Sequence, residues 1–154
     1  MILDIHETDV ATFLDNIRAL LTPDLERKKI SLEIIQSYNG IVFMDQDRIY
    51  RGLLNLLNNA EDAMTKGGKI ELKLYEENGN LVFEMTDTGS GIPESVRETL
   101  FNPFVTAGKT YGTGLGLAIT KKIVDQHHGE ISFKTELQKG TTFWIKIPIK
   151  PVAA

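Results

Sequence analysis

Apolar residues at Val10, Phe13, Leu14, Ile17, Leu20 and Leu21 recur three and four apart, the spacing that lays one stripe of a helix against a core. Thr8 or Asp9 is placed to cap that helix. Pro23 has no amide proton and crowds the preceding turn, so it should end or kink it. Leu3, Ile5 and their neighbours make a short strand candidate ahead of it. At ISLEIIQ, Ile30 to Gln36, the pattern changes to strand-like alternation, and Ile41 to Met44 is a further strand. A second helix follows Asp45 and runs to about Met64, with Ile49, Leu53, Leu56, Leu57 and Ala60 on its apolar face and Gly67-Gly68 as its stop. Lys69 to Glu76 and Asn80 to Thr86 read as strands joined at Asn78-Gly79, a hairpin dipeptide. Pro93 to Leu100 predicts a short helix and Asn102 to Thr113 a long irregular loop. Leu115 to His128 predicts a helix, apolar at Leu115, Leu117, Ile119, Ile123 and Val124 and ended by Gly129. Ile131 to Thr135 and Thr142 to Ile147 close as a second hairpin. Helices interleaved with adjacent hairpins imply an α+β, two-layer sandwich: a mixed, mostly antiparallel sheet with about three helices on one face, rather than a doubly wound parallel sheet.

Composition narrows the function classes. The 154 residues suit one domain with a real core, expected over 1–150 with a tail at 151–154. A net charge of -4 argues against nucleic acid held by bulk basicity, although local donors or a metal can still hold a polyanion. There is no cysteine, which excludes thiolate zinc sites, disulfides and thiol nucleophiles and agrees with a reducing cytoplasm. No apolar run reaches membrane-spanning length, and MILDIHETDV lacks the basic and apolar regions of a signal peptide. The expectation is a cytoplasmic domain, monomeric in isolation, with no direct membrane contact.

TAGKTYGTGLGLAI, Thr106 to Ile119, looks like a nucleotide loop but fits neither common pattern. A P-loop ending at Gly108-Lys109-Thr110 would need glycine where Pro103 stands. The Gly112, Gly114 and Gly116 spacing is not that of a Rossmann turn, and no strand leads into it. Two readings stay open: an anion site, made by backbone amides at a helix N-terminus with glycines that let phosphate oxygens come close, or a flexible loop with no ligand.

Three other features stand in order before it. In NLLNNAEDAM, Asn55 and Asn59 are four apart and so share a helix face. Asparagine is a poor interior helix residue, but its amide oxygen can ligate a hard cation such as Mg²⁺. DTGSGIPE follows a strand; an ionised Asp87 only accepts hydrogen bonds, which suits the exocyclic amine of adenine, and Gly89 and Gly91 permit close approach. In LFNPFVT, Phe101 and Phe104 flank Pro103, and Phe101 reads as a core anchor.

This order resembles the Bergerat-type ATP-binding fold shared by sensor histidine kinases, DNA gyrase, Hsp90 and MutL. NLLNNA, DTGSGIPE, FNPF and GTGLGLAI are similar to the N, first glycine, F and second glycine boxes of a histidine kinase catalytic domain, and the resemblance runs from about Asp9 to Pro148. It implies ATP and Mg²⁺ as cofactors, with Asn59 as the Mg²⁺ ligand and Asp62 and Ala63 beside it. Asp87 is implied as adenine reader with Gly89, Gly91 and Ile92 around the ring. Thr106, Gly112, Thr113, Gly114, Leu115, Gly116 and Leu117 match the lid and its hinge. Thr142, or Thr141, is implied to reach adenine through water. Asn55 stands where the gyrase and Hsp90 branches carry a water-activating glutamate; an amide is no base. The implied activity is therefore transfer of the γ-phosphate rather than hydrolysis.

Two positions depart from the family pattern. Asp62 stands where many members carry Lys or Arg, and the lid lysine is displaced by one, leaving Lys109 as the candidate for the γ-phosphate and Lys66 second. The implied partner is a dimerising, histidine-bearing helical hairpin of the same kinase, and through it a response regulator. None of the three histidines lies in such a hairpin motif: His6 is in a strand-like start, and His127-His128 are at a helix C-terminus, where a cation would suit the helix dipole. The parent kinase could be membrane-anchored or soluble. An ATP-gated binding module and an anti-sigma-type serine kinase are the alternatives within the superfamily.

Overall fold

A computed structural model describes residues 2–105 and 115–151. Five strands make the main sheet, β2 (Ile30–Gln36), β4 (Gly68–Glu77), β5 (Asn80–Asp87), β6 (Glu130–Glu136) and β7 (Gly140–Pro148), in the order β2-β4-β5-β7-β6. β2 and β4 are parallel, because β3 (Ile41–Met44) and α2 (Gln46–Ala63) come between them in the chain; every other pairing in the sheet is antiparallel. The β4–β5 hairpin turns on Asn78 and Gly79, both at positive φ (52° and 82°), the conformation of a type I′ turn.

The helices are α1 (Val10–Arg27), α2, a short α3 (Glu94–Arg97) and α4 (Gly116–Gln126). Val10, Phe13 and Ile17 of α1, Leu53, Leu56 and Leu57 of α2, and Ile123 and Val124 of α4 join one buried cluster with Ile70, Leu72, Phe83 and Ile145 of the sheet. Alternation sends the other residues of these strands to the opposite, polar face, where Tyr75 Oη and Trp144 Nε1 both donate to Glu84 Oε1 (2.9 and 2.8 Å). The α+β sandwich with a mixed, mostly antiparallel sheet is as expected.

Several boundaries differ from the sequence reading. The first strand is β1 (His6–Asp9), just after Leu3 and Ile5, and pairs antiparallel with β3 in a separate two-stranded sheet. Asp9, rather than Thr8, caps α1, accepting the Ala11 amide proton (3.3 Å). α1 does not end at Pro23: Leu25, one turn-half beyond it, is 1% exposed, so burial of the last turn outweighs the one backbone bond that proline forgoes. α3 covers only four residues of the expected Pro93 to Leu100, while Phe101 anchors its loop edge-on to Phe133 and Phe143 (centroids 5.9 and 6.5 Å). The left-handed residue after α4 is His128 (φ 58°), not Gly129; glycine stands at 129 because a Cβ there would run into the Lys146 carbonyl oxygen of β7.

Candidate nucleotide site

α2 sets the dimensions of the site. Asp45 caps it, accepting the Arg48 amide proton at 3.2 Å. Asn55, Asn59 and Ala63 follow at i, i+4 and i+8 and share one face along about 12 Å of helix. At the first end, Asn55 Nδ2 donates to the Gly116 carbonyl (3.1 Å) and to Thr120 Oγ1 (3.3 Å), both on α4. At the other end, the Ala63 carbonyl accepts the Ser90 amide proton (3.0 Å), and Gly89 lies so close that a Cβ there would sit 2.6 Å from the Ala63 Cβ. Asn59 is half-buried between these ends, and Asp62 is exposed. The N box thus lies along one helix face, with the second glycine box at one end of it and the first glycine box at the other.

Asp87 closes β5 and is 6% exposed. Its Oδ1 accepts the Gly89 amide proton at 2.8 Å. Burial pushes its carboxyl above the usual aspartate range, and hydrogen bonds from the Gly89 and Thr141 amides pull it part of the way back. Ile92 donates its amide proton to Thr135 Oγ1 (2.9 Å), whose hydroxyl also meets that of Thr141 (2.9 Å). Gly91 has φ 84°, and a Cβ there would lie 2.7 Å from the Glu136 carbonyl oxygen. That glycine therefore seats the loop against the β6–β7 turn.

Thr142 is a correction. Asp87 pairs with Thr141 and Thr86 with Thr142, so side-chain alternation puts Thr142 on the opposite face of the sheet, hydroxyl to hydroxyl with Thr86 (2.9 Å). Thr141, 5% exposed, is the threonine on the Asp87 face.

The third part is the start of α4. Thr106, Lys109, Gly112, Thr113 and Gly114 lie outside the described residues; Leu115, Gly116 and Leu117 are within them. Leu115 is the N-cap and makes no side-chain cap hydrogen bond, whereas α1 and α2 are each capped by an aspartate. Among the described residues no side chain caps the first turn of α4, and first-turn amides of a helix are donors for an anion. α4 runs antiparallel to α2, tied by Gly116 to Asn55, by Thr120 Oγ1 to the Gly52 carbonyl (3.2 Å), and by His127 to Asp45.

His127 is structural, one of the two roles expected of it, but not as a cation for the helix dipole. It is 6% exposed, Nδ1–H donates to the Ile123 carbonyl (2.8 Å), and Nε2 accepts the Asp45 amide proton (3.0 Å). Both bonds together require the neutral ring, and burial lowers its pKa accordingly. Thr120 and Thr135, which the structure brings against Asn55 and Ile92, were not singled out in the sequence. For Thr120 there was a signal: a lone hydroxyl on the apolar face that carries Leu117, Ile123 and Val124.

Residues 44–151 match the family described as histidine kinase-, DNA gyrase B- and HSP90-like ATPases. Sporulation kinase B of Bacillus subtilis (strain 168) is 30% identical over 141 residues, covering 91% of this chain; the chain spans 33% of that kinase. The nucleotide-free catalytic domain of histidine kinase ThkA superposes with a TM-score of 0.85 at 30% identity, covering 96% of this chain and 97% of that one. Full-length ShkA, solved in complex with AMPPNP, gives a TM-score of 0.86 at 29% identity over all of this chain and 33% of that one. ThkA has also been solved in complex with the response regulator TrrA (TM-score 0.81, 27% identity, 96% of this chain and 42% of that one). With the N and glycine boxes assembled along one helix, the chain belongs to the histidine kinase-, gyrase B- and HSP90-like ATPase family, as the catalytic ATP-binding domain of a sensor histidine kinase.

Proposed function

We propose that this domain binds Mg-ATP along α2 and presents the γ-phosphate to a histidine on a separate helical hairpin domain of its kinase. The single observation that carries this reading is the Asn55 amide, which donates to the Gly116 carbonyl and to Thr120 where the hydrolytic branches of the superfamily place a base. An amide so engaged takes no proton from water, so bound ATP is held for another acceptor. The donor set also fits the ligand. Asp87 is a buried acceptor for the adenine amine at one end of α2, and the α4 start, without a side-chain cap among the described residues, offers amides to phosphate at the other. Asn59 lies between them, and a single amide oxygen suits Mg²⁺, which keeps waters and takes its remaining ligands from phosphate. Among the described residues no cluster of three or more acidic or histidine side chains competes for the ion. When bound, Mg²⁺ neutralises charge on the phosphates as the transferred group departs. Asp87 orients the base, Gly89 and Ala63 shape its wall, and Lys109 and Thr106 belong to the lid over the phosphates. By this reading the domain works in the cytoplasm as a monomer, touches neither membrane nor nucleic acid, and reaches a response regulator through the histidine hairpin; the ThkA complex with TrrA supports the last point.

Calorimetric titration of the chain with ATP, with and without Mg²⁺, tests the reading. Tight binding only with Mg²⁺ is expected, and Asn59→Ala should abolish that difference. A wild-type chain that ignores Mg²⁺, or an Asn59→Ala variant that keeps the dependence, contradicts the metal assignment.

Phe104, 75% exposed, is the observation behind a second reading in which nucleotide gates docking of a partner near this loop. A serine acceptor, as in anti-sigma kinases, separates from a histidine acceptor by the acid stability of the phosphoprotein.

A further inference from the structure

We infer that Thr120 is a positioning residue for the nucleotide phosphates, acting through the first turn of α4; the inference rests on the ATP reading above. Thr120 is completely buried. Its Oγ1 lies 3.0 Å from the Gly116 carbonyl one turn back in its own helix and 3.2 Å from the Gly52 carbonyl of α2, and it receives Asn55 Nδ2 at 3.3 Å. Asn55 Nδ2 reaches the Gly116 carbonyl as well (3.1 Å). Two side chains, one from each helix, therefore converge on the carbonyl of the first residue of α4.

The chemistry of this arrangement is directional. The Gly116 carbonyl accepts from Asn55 of α2 and shares the single Thr120 hydroxyl proton with the Gly52 carbonyl, and the peptide planes of the first turn fix where the neighbouring amides point. Those amides are the ones left without a side-chain cap by Leu115. A threonine that bonds back to its own i−4 carbonyl weakens a helix slightly, so stability alone does not favour it here. Gly52 adds to the same point. A Cβ at Gly52 would stand 3.5 Å from Thr120 Cγ2, so the two helices approach closely at this level. The clasp sits next to Asn55 and one turn from Asn59, so the phosphate-facing amides and the metal-facing amide share one support.

Thr120→Val keeps the volume and removes the hydroxyl. Its effect should be confined to the phosphate end, because Asp87, Gly89 and Ala63 are at the far end of α2. Displacement of a fluorescent nucleotide from the full chain by Mg-ATP and by adenosine reads the two ends separately. Mg-ATP should weaken by about tenfold, the scale of one lost hydrogen bond, with adenosine unchanged. Thr120→Ser and Thr120→Ala, which both lack the methyl group and differ only in the hydroxyl, provide the same comparison if the valine variant does not fold: Ser should keep the wild-type ratio of the two affinities and Ala should lose it. An unchanged ratio in both Val and Ala variants, whether both affinities fall or neither does, overturns the positioning role. Failure of the wild-type chain to bind Mg-ATP overturns instead the reading on which it rests.

Discussion

Asp87 is buried where its ionised carboxylate works against the fold. Its folded pKa is raised, chiefly by burial, above the ordinary 3.8, so between those two values the folded chain carries more protons than the unfolded chain. Stability is therefore lost as pH rises through that window, and at neutral pH the ionised carboxylate is a cost. Asp87→Asn removes the charge and can keep the Gly89 bond through its own oxygen, leaving an amino group to face the adenine amine. Its melting temperature should be no lower than wild type, while calorimetry shows ATP weakened by about 1.5–3 kcal/mol, the value of a hydrogen bond to a charged group. Equal ATP affinity would exclude Asp87 as the base reader. The place of Asp87 was legible in the sequence because its setting is local: a carboxylate at a strand end before two glycines. Thr142 was not, because choosing between Thr141 and Thr142 depends on strand register. One residue of slip reverses the face, and the register is set by β5, far away in sequence.

At the scale of elements, α2 and α4 act as a unit, joined near Asn55 and again at His127. His127 is neutral in the fold, with its pKa lowered from 6.5 mainly by burial; Asp45 opposes that shift, while His128 and Arg48 add to it. Below 6.5 the unfolded chain binds more protons than the folded one. The stability supplied by the neutral ring is thus complete above that pH and is lost as pH falls toward the lower folded value. Thermal melts across this range should show a decline that His127→Gln reduces, since glutamine can accept from Asp45 and donate to Ile123 without titrating. A decline of the same size in the variant would show that His127 is not its source. Gly116 separates fold from ligand in another way. A Cβ there would meet Asn55 at 3.7 Å, an ordinary contact, so Gly116→Ala should leave the melting temperature unchanged or slightly raised. Its ATP affinity should nevertheless fall severalfold if phosphate approaches this residue, and unchanged affinity would make the glycine incidental. The helices themselves were legible from periodicity. The course of α1 past Pro23 was not, because tertiary burial of Leu25 settles it.

For the whole molecule, one cluster of apolar side chains holds three long helices to one face of a five-stranded sheet. The mixed sheet was legible from two hairpins and the order of elements; the parallel β2–β4 pair was not, since nothing in either strand encodes its neighbour. The described structure offers no histidine on a helix face to receive phosphate. His6 is in β1, His127 is buried, and His128 follows the end of α4. The chain alone should therefore bind ATP without labelling itself. The most direct test incubates the chain with γ-labelled ATP and Mg²⁺ together with the histidine hairpin domain of its own kinase. Labelling of the hairpin that is lost on acid treatment, absent without the chain, is the predicted result. No labelled hairpin under conditions where the intact kinase labels itself, or an acid-stable phosphate, would contradict it.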